Sequence, residues 1–335
     1  MLSRYVTLIV SATALSLAAS QAHAESKTLS IAKQYGLGYL QMFVMQEQHL
    51  VEKQAKTLGL EDIKVNWSTF RSVDVMNDAM LSGNLDIASI GAPGLATIWS
   101  KTKGTSVEVK GLAGMNLAPL YLNTRDSKIK SLKDFTAKDK IAVPAVKIST
   151  QALILQMGAA KIWGKENYQR LDPFTVSMTH PDAMAALLSG AGEIDTHFAA
   201  PPYAQQEVKA AGIYKVATSN DIIGDDLSFV LLAMPAKFYE ANPKLTQAFM
   251  AAFKEATDFI NTNKRAAAEI YLKATGDKSS VDDTVAIMNE GLKYTIDPRG
   301  TLAMFQFMSD IGRIKAHPSD WKEYMLPISH DLRGS

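Results

Sequence analysis

VDVMNDAMLSGNLDIASIGAPGLA, Val73 to Ala96, has a counterpart in PDAMAALLSGAGEIDTHFAAPPYA, Pro181 to Ala204. In each, an Ala/Met/Leu-rich helical stretch stops at a Ser-Gly (Ser82-Gly83, Ser189-Gly190). A short polar link leads to an Asp (Asp86, Asp195) that opens a strand-like run, and the run ends in Ala-Pro (Ala92-Pro93, Ala200-Pro201). Helix, glycine stop, strand and sharp turn, used twice, imply two similar α/β lobes presenting equivalent loops across a cleft.

Outward from these segments the pattern is strand, helix, strand, helix, the βαβ grammar of a mostly parallel sheet. Before the first segment the expected elements are a strand over 28–33, the turn Tyr35-Gly36-Leu37-Gly38-Tyr39, a helix over 40–58 stopped by Gly59 and a strand over 63–67. Ser72 or Asp74 caps the helix of the first segment, and strands follow over 86–90, 107–112 and 119–123. The grammar then restarts with a strand over 141–143 and a helix from Ser149 or Thr150 to about Trp163. Next come a strand over 174–178, a helix from Asp182, a strand over 196–198, a helix over 203–210 and a strand over 213–217. Leu227 to Met234 is apolar without alternation, as in a strand buried on both faces, and the remainder is largely helical from Asn242-Pro243 onward.

Met1 to Ala24 reads as a secretory signal: Arg4 in a short n-region, an apolar run over 5–19, and Ala22-His23-Ala24 as the cleavage site. The run is short for spanning a bilayer. The whole chain of 335 residues carries 35 Lys and Arg against 34 Asp and Glu; removing Arg4 with the signal leaves 34 against 34. No charge excess exists to neutralise a phosphate backbone, so no nucleic-acid partner is expected. There is no Cys, so neither a disulfide brace nor a lipid-bearing N-terminal cysteine is available. The whole chain is 47% hydrophobic, and the roughly 310 residues after the signal can support two compact units held by their cores, a soluble protein of the periplasm.

Helix N-termini after parallel strands favour an anion through free N–H groups and the dipole. The best candidate is VPAVKISTQALILQ, Val143 to Gln156: Ser149, Thr150 and Gln151 offer donors and Lys147 a charge. At about 1.5–3 kcal/mol for each charge-assisted bond, three or four approach the roughly 8 kcal/mol of a micromolar site before ordering costs. An ordinary N-cap explains the same residues. Arg71 can clamp an acid group, and is equally explained by pairing with Asp74 or Asp78. The glycines of the Tyr35–Tyr39 turn allow close approach of backbone, and its rings can wall an apolar part. Gly91-Ala92-Pro93 and Ala200-Pro201 are expected as small-residue loops, with Asp86 and Asp195 bonded within their own turns. None of the six histidines forms a metal-binding motif, and His197 is expected as a satisfied, buried imidazole. No GxSxG or Cys nucleophile appears, and no cofactor is implied.

LSGNLDIASIGAP (Leu81 to Pro93), DSKIKSLKDFTAKDKIAVPAVKISTQ (Asp126 to Gln151) and LLSGAGEIDTHFAAPP (Leu187 to Pro202) carry a resemblance. The chain resembles the periplasmic substrate-binding proteins of ABC importers for nitrate, taurine and aliphatic sulfonates, a group that shares a domain with thiamine-pyrimidine precursor proteins. The resemblance implies a type II periplasmic binding protein, an α/β fold of two Rossmann-like lobes joined by a two-strand hinge. After the signal (1–24), lobe 1 would comprise 27–118 and 226–335, and lobe 2 119–225, with crossings near Leu117 to Asn123 and Asp225 to Leu232. The implied ligand-binding set is Tyr35, Gly36, Arg71, Ser72, Gly91, Ala92, Pro93, Asn116, Ser149, Thr150, Gln151, Ala200 and Pro201. Relatives have a glycine-rich approach to the first-repeat helix where this chain has Phe70-Arg71-Ser72-Val73, and a Gly-Ser-Thr run where it has Lys147-Ile148-Ser149-Thr150.

The function implied is a monomeric receptor that hands a small organic anion to an ABC permease and its ATPase. The thiamine-precursor enzyme branch uses a cysteine-containing motif that a chain without Cys cannot reproduce. The alternatives are a periplasmic enzyme acting on a pyrimidine or small organic acid, and a solute-presenting partner of a sensor kinase.

Overall fold

The computed structural model describes residues 25–335 except Glu193 and Asp225, so the signal segment (1–24) lies outside the described residues. Strands β1 (Thr28–Lys33), β2 (Lys64–Thr69), β3 (Ile87–Ile90) and β4 (Val109–Leu117) come first. The chain then builds β5 (Tyr121–Thr124), β6 (Ile141–Val143), β7 (Thr175–Ser177), β8 (Thr196–Ala199) and β9 (Tyr214–Thr218), and returns with β10 (Ser228–Pro235) and β11 (Lys293–Tyr294). One sheet has the order β11-β4-β10-β3-β1-β2, the other β7-β6-β8-β5-β9. The chain therefore crosses between sheets twice, between β4 and β5 and between β9 and β10.

Both sheets are mixed where a mostly parallel sheet was expected. The strand of the first repeat, β3, pairs parallel with β1 and antiparallel with β10. Its counterpart β8 pairs parallel with β6 and antiparallel with β5. The antiparallel neighbour in each case is a strand adjoining a crossing, because a chain arriving from the other lobe enters the sheet in the opposite direction.

Asp86 and Asp195 differ from expectation in an instructive way: each is bonded to the neighbouring parallel strand, not to its own turn. Asp86 N–H donates to Ser30 O at 3.0 Å while its carboxylate accepts from Ser30 N at 2.7 Å. Asp195 N–H donates to Lys140 O at 3.3 Å and its carboxylate accepts from Lys140 N at 3.0 Å. One residue so supplies two bonds joining its strand to the next.

The expected helix over 40–58 is two, Leu40–Glu47 and Leu50–Thr57, broken at His49 (φ 50°). The first piece is buried from Leu40 to Met45 and the second buries only Leu50, Val51 and Ala55, so the two meet different surroundings. β10 is buried along nearly its whole length, as its unbroken apolar run demands. The long helix Pro243–Thr262 buries Leu245, Phe249, Ala252, Phe253, Ala256 and Ile260 at helical spacing. At about 1.5–3 kcal/mol for each large side chain, that stripe is a major part of the core. Glu25 caps it, accepting from Lys244 N (2.9 Å) and Leu245 N (2.6 Å).

Trp99, near the end of helix Ala92–Thr102, is fully buried against Phe305 and Tyr324, with centroids at 5.9 and 5.7 Å. This packing fixes the helix whose first turn reaches the space between the lobes.

Candidate functional site

Four helices direct their N-terminal ends at one small cavity between the sheets. Its walls include Val73 from helix Val73–Leu81, Gly91 from the cap of helix Ala92–Thr102, Ser149, Thr150 and Gln151 from helix Thr150–Trp163, and His180 from helix His180–Ser189. Gln34, Tyr39, Pro144, Ile148 and Phe229 complete it. The first turn of each helix has N–H groups without intrahelical acceptors, and the aligned dipoles place positive potential there. Among the described residues the side chains facing the cavity are hydroxyls, amides, an imidazole and apolar groups, with no lysine, arginine or carboxylate.

Each start has a local cause. Ser149, in extended conformation, accepts from Ala152 N at 3.3 Å. Thr179 accepts from Asp182 N with Pro181 in the first turn, so this helix begins at His180, two residues earlier than expected. Gly91-Ala92-Pro93, expected as a loop, is a helix start, with Gly91 at the cap position and Pro93 in the first turn.

The two walls are close. A Cβ on Gly91 would lie 2.1 Å from Thr150 Oγ1, and the free space is about 20 Å³, room for a water or one small group. A backbone bond crosses the gap, Leu37 N to Pro201 O at 3.0 Å, and a Cβ on Gly36 (φ 105°) would lie 2.7 Å from that same oxygen. Further ties are Lys165 to Asp310 (2.8 Å), Lys209 to Asp283 (2.7 Å) and Gln206 to Ser279 (2.8 Å).

A second, larger cavity of about 810 Å³ shares a wall with the first. His180 faces the small cavity, while Pro181 and Tyr203, whose ring stacks on His180 at 5.7 Å, face the large one. Tyr35, Phe43, Met184 and Tyr271 give it an aromatic and apolar wall, and Asp277 and Lys278 also line it.

Of the residues picked from sequence, Gly91, Ser149, Thr150 and Gln151 line the small cavity, and Tyr35 and Gly36 the large one. Arg71 and Ser72 line an adjoining groove with Asp74, Thr179 and Asp182, and this groove shares Pro144 with the small cavity. Lys147 faces another, beside Asp172. Ala92, Ala200 and Pro201 are buried scaffold, and Pro93 is also buried. Asn116 is fully buried and donates to Gly38 O at 2.6 Å, so it holds the 37–39 turn.

Tyr39, from the turn whose rings were expected to wall a ligand, lines the small cavity, while sequence reasoning missed Gln34, Phe229 and His180. Thr179-His180-Pro181-Asp182, a cap followed by Pro and an acid, was the available signal for the last. Burial, then the neighbouring His197, holds His180 well below the usual histidine range.

The sequence pattern of the NMT1-like family matches residues 22–273, about three quarters of the chain. The chain belongs to the NMT1-like family. No match was found among curated proteins. Solved structures share the fold. The alkanesulfonate-binding protein SsuA of Xanthomonas axonopodis pv. citri, bound to MOPS, aligns at 15% identity over 88% of this chain and 96% of that one, with TM-score 0.68. The periplasmic aliphatic sulphonate-binding protein SsuA of Escherichia coli aligns at 19% identity over 90% and 98%, TM-score 0.65. The periplasmic nitrate-binding protein NrtA of Synechocystis PCC 6803 aligns at 19% over 92% and 84%, TM-score 0.65. This member of the family therefore has the two-lobed fold of periplasmic binding proteins. Among the described residues no helix is long and apolar enough to cross a membrane, and no group of three or more His, Asp or Glu is placed to hold a metal ion.

Proposed function

We propose that this protein is a periplasmic receptor of an ABC importer that captures a small organic anion between its lobes and delivers it to a membrane permease and its ATPase. The observation that carries the proposal is the convergence of four helix N-termini, drawn from both lobes, on one cavity that no carboxylate lines among the described residues. Orphan N–H groups and hydroxyls there form a nest for an acid group, and the lobes close on it by hinge motion at the two crossings. The apolar cavity behind Tyr203 offers space for an organic body, which favours a sulfonate, taurine-like or carboxylate solute over nitrate alone. The work is selective capture without turnover, by a monomer exported through residues 1–24. Lobe 1 is residues 27–118 with 226–335, and lobe 2 is 119–225.

Calorimetry of the mature protein against methanesulfonate, taurine, nitrate, acetate and a neutral pyrimidine tests this. An acid group is expected to bind with a dissociation constant in the micromolar range or tighter, about 8 kcal/mol. Tight binding of the pyrimidine alone, or no anion bound below about a millimolar, contradicts it.

A further inference from the structure

Behind the small cavity runs a buried chain of polar groups. Gln151 Nε2 lies 3.2 Å from His180 Nε2, His180 Nδ1 lies 2.8 Å from His197 Nε2, and His197 Nδ1 lies 2.5 Å from Glu207 Oε1. Glu207 Oε2 accepts from Asn123 Nδ2 at 2.8 Å, and the same amide donates to Ala204 O at 3.0 Å. His197, Glu207 and Asn123 are fully buried, and His180 is 6% exposed.

With Glu207 ionised, hydrogen-bond accounting leaves one arrangement of neutral imidazoles along this chain. A carboxylate only accepts, so the proton of His197 sits on Nδ1 and its Nε2 is a lone pair. His180 must then donate from Nδ1, which leaves its Nε2 as an acceptor for the Gln151 amide. In this form the chain carries one net negative charge and turns a lone pair toward the cavity, the wrong polarity for an anion.

One added proton reverses this. We propose that the Glu207–His197–His180 chain takes up one proton from solvent as an anion enters the cleft, supplying the charge and the donor that the cavity walls lack. This rests on the anion-receptor function proposed above. The proton adds to His180 Nε2, and the proton on His180 Nδ1 passes along the 2.8 Å bond to His197 Nε2. His197 becomes an imidazolium held by Glu207, and His180 stays neutral with its N–H toward the ligand. Gln151, no longer facing a lone pair, is released to the ligand as well. In this closed arrangement burial, then His197, keeps His180 weakly basic, so the proton is off while no anion is present.

Among the described residues no other charged side chain lines the small cavity; Arg71 lines the adjoining groove, with Asp74 and Asp182. Tyr203, stacked on His180, has its hydroxyl pushed far up by burial, with Tyr271 and Asp277 beyond it. Asp182 is bonded to Thr179 Oγ1 at 2.5 Å, and Lys215 lies over the Tyr121 ring at 4.5 Å.

Methanesulfonate, nitrate and acetate are all ionised above about pH 6, so any proton taken up on binding lands on the protein. Calorimetry at pH 7.5 in buffers of differing ionisation enthalpy is expected to give about one proton taken up per anion bound. The dissociation constant should rise about tenfold per pH unit above neutrality. Glu207→Gln, which removes the counter-charge, is expected to abolish the uptake, a readout that a purely structural role would not move. Binding of these anions to the wild-type protein with no proton uptake and a flat pH profile overturns the inference and leaves the anion receptor standing. Failure of these three and of taurine to bind overturns both.

Discussion

Gly91 and Thr150 face each other across the cleft at a distance that admits no side chain on the glycine. Gly91→Ala would place its methyl 2.1 Å from the hydroxyl of Thr150, so the lobes could not close to this degree. The expected outcome is a dissociation constant at least about tenfold higher, some 1.4 kcal/mol, with thermal stability little changed. Titration of the variant beside the parent checks it. Lys33 makes a different prediction. It is 4% exposed, its ammonium donates to Gln46 Oε1 at 2.8 Å and lies near the Phe43 and Trp67 rings, and burial lowers its pKa from 10.5 to about 8. Between those two values the unfolded chain holds the proton that the folded one has released, so stability rises with pH there. Denaturant unfolding at a series of pH values should show that rise, roughly 1–3 kcal/mol, and Lys33→Met should flatten it. Among site residues, Ser149 and Thr150 were legible because capping is local chemistry. His180 and Phe229 were missed, because only the packing of one lobe on the other decides which side chains reach the cavity.

Helix ends carry the proposed site, and their two roles can be separated. Ser149→Asp keeps a good cap for helix Thr150–Trp163 and adds a favourable charge at its positive end, so stability should hold or rise by a few tenths of a kcal/mol. The same carboxylate faces the cavity and should weaken an anionic solute at least about tenfold, read by calorimetry. Tighter binding in that variant would mean a cationic solute. The repeated aspartates belong to the same scale. Each makes a two-bond link between adjacent parallel strands, so Asp86→Ala and Asp195→Ala should each cost about 1–3 kcal/mol, by nearly equal amounts, in thermal unfolding. A loss at one site with none at the other would break the equivalence of the repeats. The repeats themselves were legible as helix, stop and strand because glycine, cap and apolar period act over a few residues. The mixed direction of the sheets was not, since it follows from where the chain crosses between lobes. The break at His49 was hidden for a similar reason: apolar residues continue through it, and only the change of neighbours turns the helix.

At the scale of the molecule, the structure is two sheets whose lobes meet around a small polar cavity, with an apolar one sharing its wall. Two of the ties across the gap are exposed ion pairs, each worth about 0–1 kcal/mol, so closure can be reversible and a captured solute can tip it. The family and the two-lobed architecture were legible from the order of elements; the solute is not encoded in that order, because it depends on a handful of side chains brought together from distant parts of the chain. The most direct test of the central claim is a crystal structure of the protein grown with the tightest-binding anion of the calorimetric panel. The account predicts the acid group within hydrogen-bonding distance of Ser149, Thr150 and His180 Nε2, with any organic body directed toward Tyr203. An acid group seated at Lys278 in the larger cavity, or at Arg71 in the adjoining groove, with the helix N-termini left empty, would contradict it.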